Sequence, residues 1–157
     1  MQQFVLHLDK EMQSLAEIGK ALGKMKVDIV SMAGTSAFGI CTAILLTDNE
    51  ELTMQVLRKM NIPFSTQDVL VASLPDEPGS FGHFAQLLFD QNIQVLSFYV
   101  LRFSANYADY AFSVGEADFE KAKSFLDASG FLKSSNKQKK KAATSKIVSN
   151  PITGYID

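Results

Sequence analysis

Cysteine is almost absent from this chain. Cys41 stands alone among 157 residues, so the sequence holds neither a disulfide within the chain nor a multi-cysteine metal site. Histidine is nearly as scarce: His7 and His83 are too far apart in sequence to suggest a dense metal or catalytic cluster. Nine glycines and four prolines are too few for a collagen-like or low-complexity chain, and 46% hydrophobic with 20% charged residues is a globular balance. No apolar run approaches the roughly 18 to 20 residues of a membrane span. The opening Met1-Gln2-Gln3 lacks the basic-then-apolar pattern of a secretory signal. The expectation is a cytoplasmic protein with no membrane partner.

Charge is scarce in sum and uneven in distribution. Residues 1–132 carry nine Lys and Arg against sixteen Asp and Glu, a net −7, whereas residues 133–157 carry six Lys against one Asp, a net +5. An acidic body argues against nucleic acid as the main partner, because phosphate affinity is built from clustered Lys and Arg.

What the chain does have is an internal repeat. At an offset of 66, Leu6-His7-Leu8 overlies Ala72-Ser73-Leu74, Ile18 overlies Phe84, Leu22 overlies Leu88, Val27 overlies Ile93 and Ser31 overlies Ser97. Further on, the pattern reads at 68, with Ile44 over Phe112 and Leu46 over Val114, and then at 69, with Val56 over Phe125 and Leu57 over Leu126. Two similar units are expected, at 1–68 and 69–135, followed by a basic tail at 136–157.

Each unit reads as strand, helix, strand, strand, helix, strand. In the first, Gln3 to Leu8 is β-rich, and Met12, Leu15, Ile18, Leu22 and Met25 recur at helical spacing. Val27 to Ala33 and Gly39 to Thr47 read as strands, Asp48 or Asn49 caps a helix running to about Met60, and Phe64 to Val69 is extended. In the second, Val69 to Leu74 is a strand and Pro78-Gly79 opens a helix with Phe81, Phe84, Leu87 and Leu88 on its apolar face. Strands follow at Ile93 to Phe103 and Tyr107 to Gly115, then a helix ended by Gly130, then a short strand from Phe131 to Ser134. This order predicts an α+β fold of two tandem ferredoxin-like βαββαβ units, each an antiparallel sheet with helices on one face. Ile93 to Phe103 is apolar on both sides, so the second sheet face must also be covered, by the other unit or by a second chain. A homodimer is the expectation.

The sharpest local motif is Asp76-Glu77-Pro78-Gly79-Ser80-Phe81, between a strand and a helix. Pro suits a first helical turn and Gly allows a tight turn, leaving amide groups that hold a carboxylate with help from the helix dipole. Asp76 at the strand end suits an ammonium group, and the two together suit a free amino acid. The residues alone favour the plainer reading, a good helix start.

The tandem units and this motif, followed by Phe84, Leu87, Leu88 and Asn92-Ile93-Gln94-Val95-Leu96, resemble the ACT domain, a small regulatory module of amino-acid metabolism. The family pattern is Asp-x-Pro-Gly-x-Leu, an amphipathic helix, then Gly-Ile-Asn-Ile. Here Asn92 stands for the glycine, a swap Asn tolerates because it enters the left-handed region readily, and Gln94 stands for the asparagine. Unit one has Asp9-Lys10-Glu11-Met12-Gln13, without Pro-Gly. The resemblance implies pairing of units, commonly side by side, with an amino acid bound between one unit's loop and its partner's second strand. It assigns the loop residues Asp76, Glu77, Pro78, Gly79, Ser80 and Phe81, and the strand residues Asn92, Ile93 and Gln94. In unit one the weaker set is Met12, Gln13, Val27 and Asp28.

Catalysis finds no support: Cys41 reads as a buried mid-strand thiol, and no phosphate loop, Gly-x-Ser-x-Gly or metal-spaced pair occurs. An RNA reader would need a basic-Gly-Phe motif where Tyr107-Ala108-Asp109-Tyr110 stands. The tail, with Lys137, Lys139, Lys140 and Lys141, reads as a solvated extension. The sequence therefore predicts a non-catalytic amino-acid sensor with no cofactor and no metal, acting as a homodimer or through a partner enzyme. The alternative is a structural dimerisation module without ligand.

Overall fold

The computed structural model describes residues 1–8, 11–37 and 40–131; of residues 11, 12 and 40 it describes the backbone. Unit one consists of β1 (Gln2–Leu8), α1 (Glu11–Lys24), β2 (Ile29–Ala37), β3 (Ile40–Thr47), α2 (Glu50–Lys59) and β4 (Phe64–Asp68). Its antiparallel sheet has the order β2-β3-β1-β4. Unit two consists of β5 (Leu70–Pro75), α3 (Ser80–Asp90), β6 (Val95–Phe103), β7 (Tyr107–Val114), a 3-10 turn (Glu116–Asp118) and α4 (Phe119–Ser129). Its sheet has the order β5-β7-β6, the same arrangement as β1-β3-β2. The Phe131 carbonyl accepts from Ser73 N–H on β5 at 3.1 Å, where the expected last strand begins. Residues 132–134 of that strand and the tail at 136–157 lie outside the described residues.

The four described helices end in the same way, and this sets where the next strand starts. The N–H groups of Val27, Ile62, Ile93 and Phe131 reach back to the carbonyls of Leu22, Leu57, Leu88 and Leu126. Each closure needs one left-handed residue, and Lys26 (φ 56), Asn61 (φ 55), Asn92 (φ 50) and Gly130 (φ 74) supply them. Val27 and Ile93 are consumed in these closures, so β2 and β6 begin two residues later than the apolar pattern suggests. At α2 the cap is Asn49, whose side chain accepts from Leu52 N–H at 3.0 Å.

Strand pairing corrects one part of the repeat. Phe4 pairs with Leu45 and Met32 with Leu45, while Leu70 pairs with Phe112 and Phe98 with Phe112. Leu45 is therefore the counterpart of Phe112, an offset of 67 rather than 68. A one-residue slip exchanges the two faces of a strand, which a pattern apolar on both faces does not reveal. Both units also share a register shift, between Ile29 and Ser31 and between Val95 and Ser97.

Each sheet packs one face on its helices. Phe4, Leu6, Cys41 and Leu45 meet Ile18, Leu22, Val56 and Leu57 in unit one; Leu70, Leu74 and Phe112 meet Phe84, Leu88, Ala122 and Leu126 in unit two. A third cluster, Leu46, Val69, Tyr99 and Ala111 with Ala33, Ile44 and Leu101, joins the two sheets on their other faces. The two units of one chain thus cover each other, face to face and not as one continuous sheet. The bare-face argument for a second chain is answered within the chain. β4 leads into β5 through Val69 alone, whose N–H donates to the Met1 carbonyl at 3.0 Å.

Between the two sheets lies a fully buried amide, Gln3. Its Nε2, with two N–H groups to give, lies 2.7 Å from Gln67 Oε1, 2.8 Å from Ser97 Oγ and 3.2 Å from Ser113 Oγ, and its Oε1 accepts from Tyr99 OH at 2.9 Å. Ser31 Oγ adds a 3.1 Å bond to the Val100 carbonyl. Burial pushes the Tyr99 phenol from 10.0 up to about 12. No helix among the described residues is long and apolar enough to cross a membrane.

Gln3→Ala removes the hub of this network and leaves the buried Tyr99 hydroxyl without its acceptor, while Ser97, Ser113 and Gln67 still bond one another. With the cavity left behind, it should destabilise the fold by about 2 to 4 kcal/mol in urea unfolding. The raised Tyr99 phenol means that the unfolded chain loses its proton first as pH rises. Stability should then fall between about pH 10 and 12, and Tyr99→Phe should remove that component.

Candidate functional site

The loop Asp76 to Ser80 joins β5 to α3. Asp76 N–H donates to the Asn106 carbonyl at 3.0 Å in the β6–β7 turn, which anchors the loop's first residue. Ser80 N–H donates to the Glu77 carbonyl at 3.2 Å, closing a turn around Pro78-Gly79. Gly79 sits at φ 93, ψ −16, and no heavy atom lies within 4 Å of where a Cβ would stand. Glycine is required there by backbone conformation and not by crowding. His83 N–H returns to the Gly79 carbonyl at 2.9 Å, while the amides of Phe81 and Gly82 have no acceptor among the described residues and no side chain caps the helix. Asp76, Glu77, Pro78 and Gly79 are exposed.

Beside this turn runs an aromatic ladder. Phe81, half exposed, meets Phe98 edge-on with ring centroids 4.8 Å apart, and Phe98 stacks on Tyr110 at 5.0 Å. Phe84 continues the ladder to Phe112 and Phe131 at 5.7 and 5.4 Å. Between α3 and the start of β6 lies an apolar cavity of about 230 Å3, with Phe81 at one end and Ile93 and Val95 at the other. Phe81 and Ile93 are the two motif residues that this cavity brings together.

The remaining strand residues stand apart from the loop. α3 separates Gly79 from Asn92 by about 20 Å at 1.5 Å per residue. Ile93 is buried in the unit-two core and Val27 in the unit-one core. Gln94 N–H donates to Asp118 Oδ2 at 3.3 Å, and its counterpart Asp28 N–H donates to Asp48 Oδ1 at 2.9 Å. Both strand starts are thus tied by a carboxylate that precedes the unit's second helix. In sequence Asp48 reads only as a candidate helix cap. In unit one, Gln13 is exposed and bonds Glu17 at 3.2 Å; the Met12 side chain and residues 9 and 10 lie outside the described set.

Sequence reasoning also passed over the Asp109 carboxylate as a structural tie. It is buried on β7, accepts from Arg102 Nε at 2.7 Å and from the Ser73 hydroxyl, and so links the three described strands of the unit-two sheet. An acid inside the apolar run from Tyr107 to Val114 was the available signal. No group of three or more His, Cys, Asp or Glu among the described residues is placed to hold a metal ion.

No family model and no curated protein matches the chain by sequence. Its backbone is similar to solved structures. Protein BT0572 from Bacteroides thetaiotaomicron superposes with a TM-score of 0.73 at 15% identity, over 83% of this chain and 89% of that one. The regulatory subunit of aspartate kinase from Thermus thermophilus, in its ligand-free form, gives 0.60 at 13% identity, over 81% and 88%. A structure of aspartokinase alpha and beta subunits gives 0.58 at 12% identity, over 83% and 93%. Repeat, strand order and these superpositions agree on the fold, two tandem ferredoxin-like units, which this chain shares with those structures.

Proposed function

We propose that this chain is a non-catalytic regulatory sensor that binds a free amino acid at the Asp76–Phe81 loop. The observation that carries the reading is the Gly79 turn, which leaves the Phe81 and Gly82 amides open at the start of α3, beside an aromatic wall. A ligand carboxylate takes those amides, its ammonium group faces Asp76, and its side chain lies on Phe81 toward the apolar cavity. Glu77, Pro78 and Ser80 shape the turn. Such a pocket selects an apolar or aromatic side chain over a charged one.

In this reading Asn92, Ile93 and Gln94 of a second copy complete the site. β6 has no strand partner on its outer edge among the described residues, and Val95, Leu96 and Phe89 beside it are exposed. A homodimer through that edge carries one copy's strand start to the other's loop. Regulation follows by linkage: a ligand that favours one arrangement of the dimer shifts it, or a bound enzyme of amino-acid metabolism, toward that arrangement. The similarity to a regulatory subunit of aspartate kinase supports this class of role. The same apolar edge favours a second reading, a dimerisation module whose loop only starts a helix. Units at 1–68 and 69–135 are the proposed repeats.

The test is thermal unfolding in the presence of each of the twenty amino acids. One or two apolar amino acids should raise the melting temperature selectively, by about 2.7 kcal/mol of stabilisation at 100 times Kd. Gly79→Leu, which strains a φ of 93 without a clash, should lose about 1 to 2 kcal/mol of stability, keep the fold and abolish the ligand-induced rise. A flat response to all twenty, with a dimer still present, contradicts the sensor and favours the dimerisation module.

A further inference from the structure

The outer face of unit one carries a groove that the amino-acid reading does not use. It lies between α1 and α2, encloses about 500 Å3, and has Met25, Val56 and Met60 as its apolar lining and Lys20, Lys24 and Lys59 as its cations. Residues 1–132 hold only nine Lys and Arg against sixteen acids. A third of the cations of an acidic body therefore meet at one apolar surface. None of the three lysines forms an ion pair among the described residues, and the single acid in the lining, Glu17, is already bonded by Gln13. Helix dipoles account for Lys24 and Lys59, which lie in last turns, but not for Lys20 in mid-helix.

The fold itself does not require this chemistry. At the repeat offsets, unit two has Gln86, Asp90 and Ala128 where unit one has the lysines, and Gln91 and Ser129 where it has the two methionines. These lysines and methionines are features of unit one and are not repeated in unit two. Along α1 its lining runs from position 17 to position 25, about 12 Å or two helical turns. Methionine side chains adapt to varied apolar partners.

We propose that this groove docks an acidic amphipathic helix of a partner protein, with apolar side chains against Met25, Val56 and Met60 and carboxylates facing the lysine rim. The inference is independent of the amino-acid site and tests without any ligand there.

The probe is a fluorescein-labelled helical peptide of about 16 residues, leucine on one face and glutamate with alanine on the other, titrated with the full chain and followed by anisotropy. Saturable binding is expected, with no binding of the same peptide carrying lysine for glutamate. Lys20→Glu with Lys59→Glu should weaken it by about tenfold or more, and Lys20→Arg with Lys59→Arg should not. Circular dichroism checks that these exposed substitutions leave the fold intact. Equal affinity for both peptides, no saturable binding, or an unchanged affinity in the charge-reversed variant overturns the proposal. So does dodecanoate binding with the same lysine dependence in place of the peptide, or self-association of the chain that the charge reversal abolishes.

Discussion

The Gln3 amide is the constraint on which the arrangement of the two units depends. A primary amide buried between two sheets must satisfy two donors and two acceptor sites, or its burial costs about 1 to 3 kcal/mol per orphaned group. Gln3 reaches Gln67 in its own unit and Ser97, Ser113 and Tyr99 in the other. Apolar contacts such as Leu46 with Val69 tolerate sliding, whereas this set of directions does not. The amide thus specifies register where the apolar inter-sheet core supplies adhesion.

That constraint has consequences for how a signal would cross the molecule. Val69 is the sole residue between β4 and β5, and its amide is held by Met1, so neither unit can tilt without disturbing β1. A loop at one end of α3 and an open edge at β6 are therefore carried on one rigid frame. In the proposed sensor, movement on ligand binding falls between copies of the chain and not between its two units, the geometry a linkage mechanism needs.

Much of this was legible in the sequence because the repeat could be checked against itself. Leu22 with Leu88 and Leu57 with Leu126 turned out to be the same residue of the same helix closure, and Asn92 takes the left-handed conformation that asparagine enters readily. The offset at β3 and β7 was misread by one residue, since strands apolar on both faces carry no alternation to fix their phase. The coverage of the second sheet face was expected, but its partner was not decidable: burial demands a cover and is indifferent to which chain provides it. Gln3 was invisible as a keystone, because a polar residue near a chain start reads as exposed until its partners, 94 and 110 positions away, are in place. Asp48 and Asp118 were equally hidden, as acids at helix starts have an ordinary explanation.

The most direct test of the account is scanning calorimetry of the intact chain. If the Gln3 network and the inter-sheet core make one cooperative body, a single endotherm appears and its calorimetric enthalpy matches the van't Hoff enthalpy. Two separable endotherms, one for each unit, would contradict it.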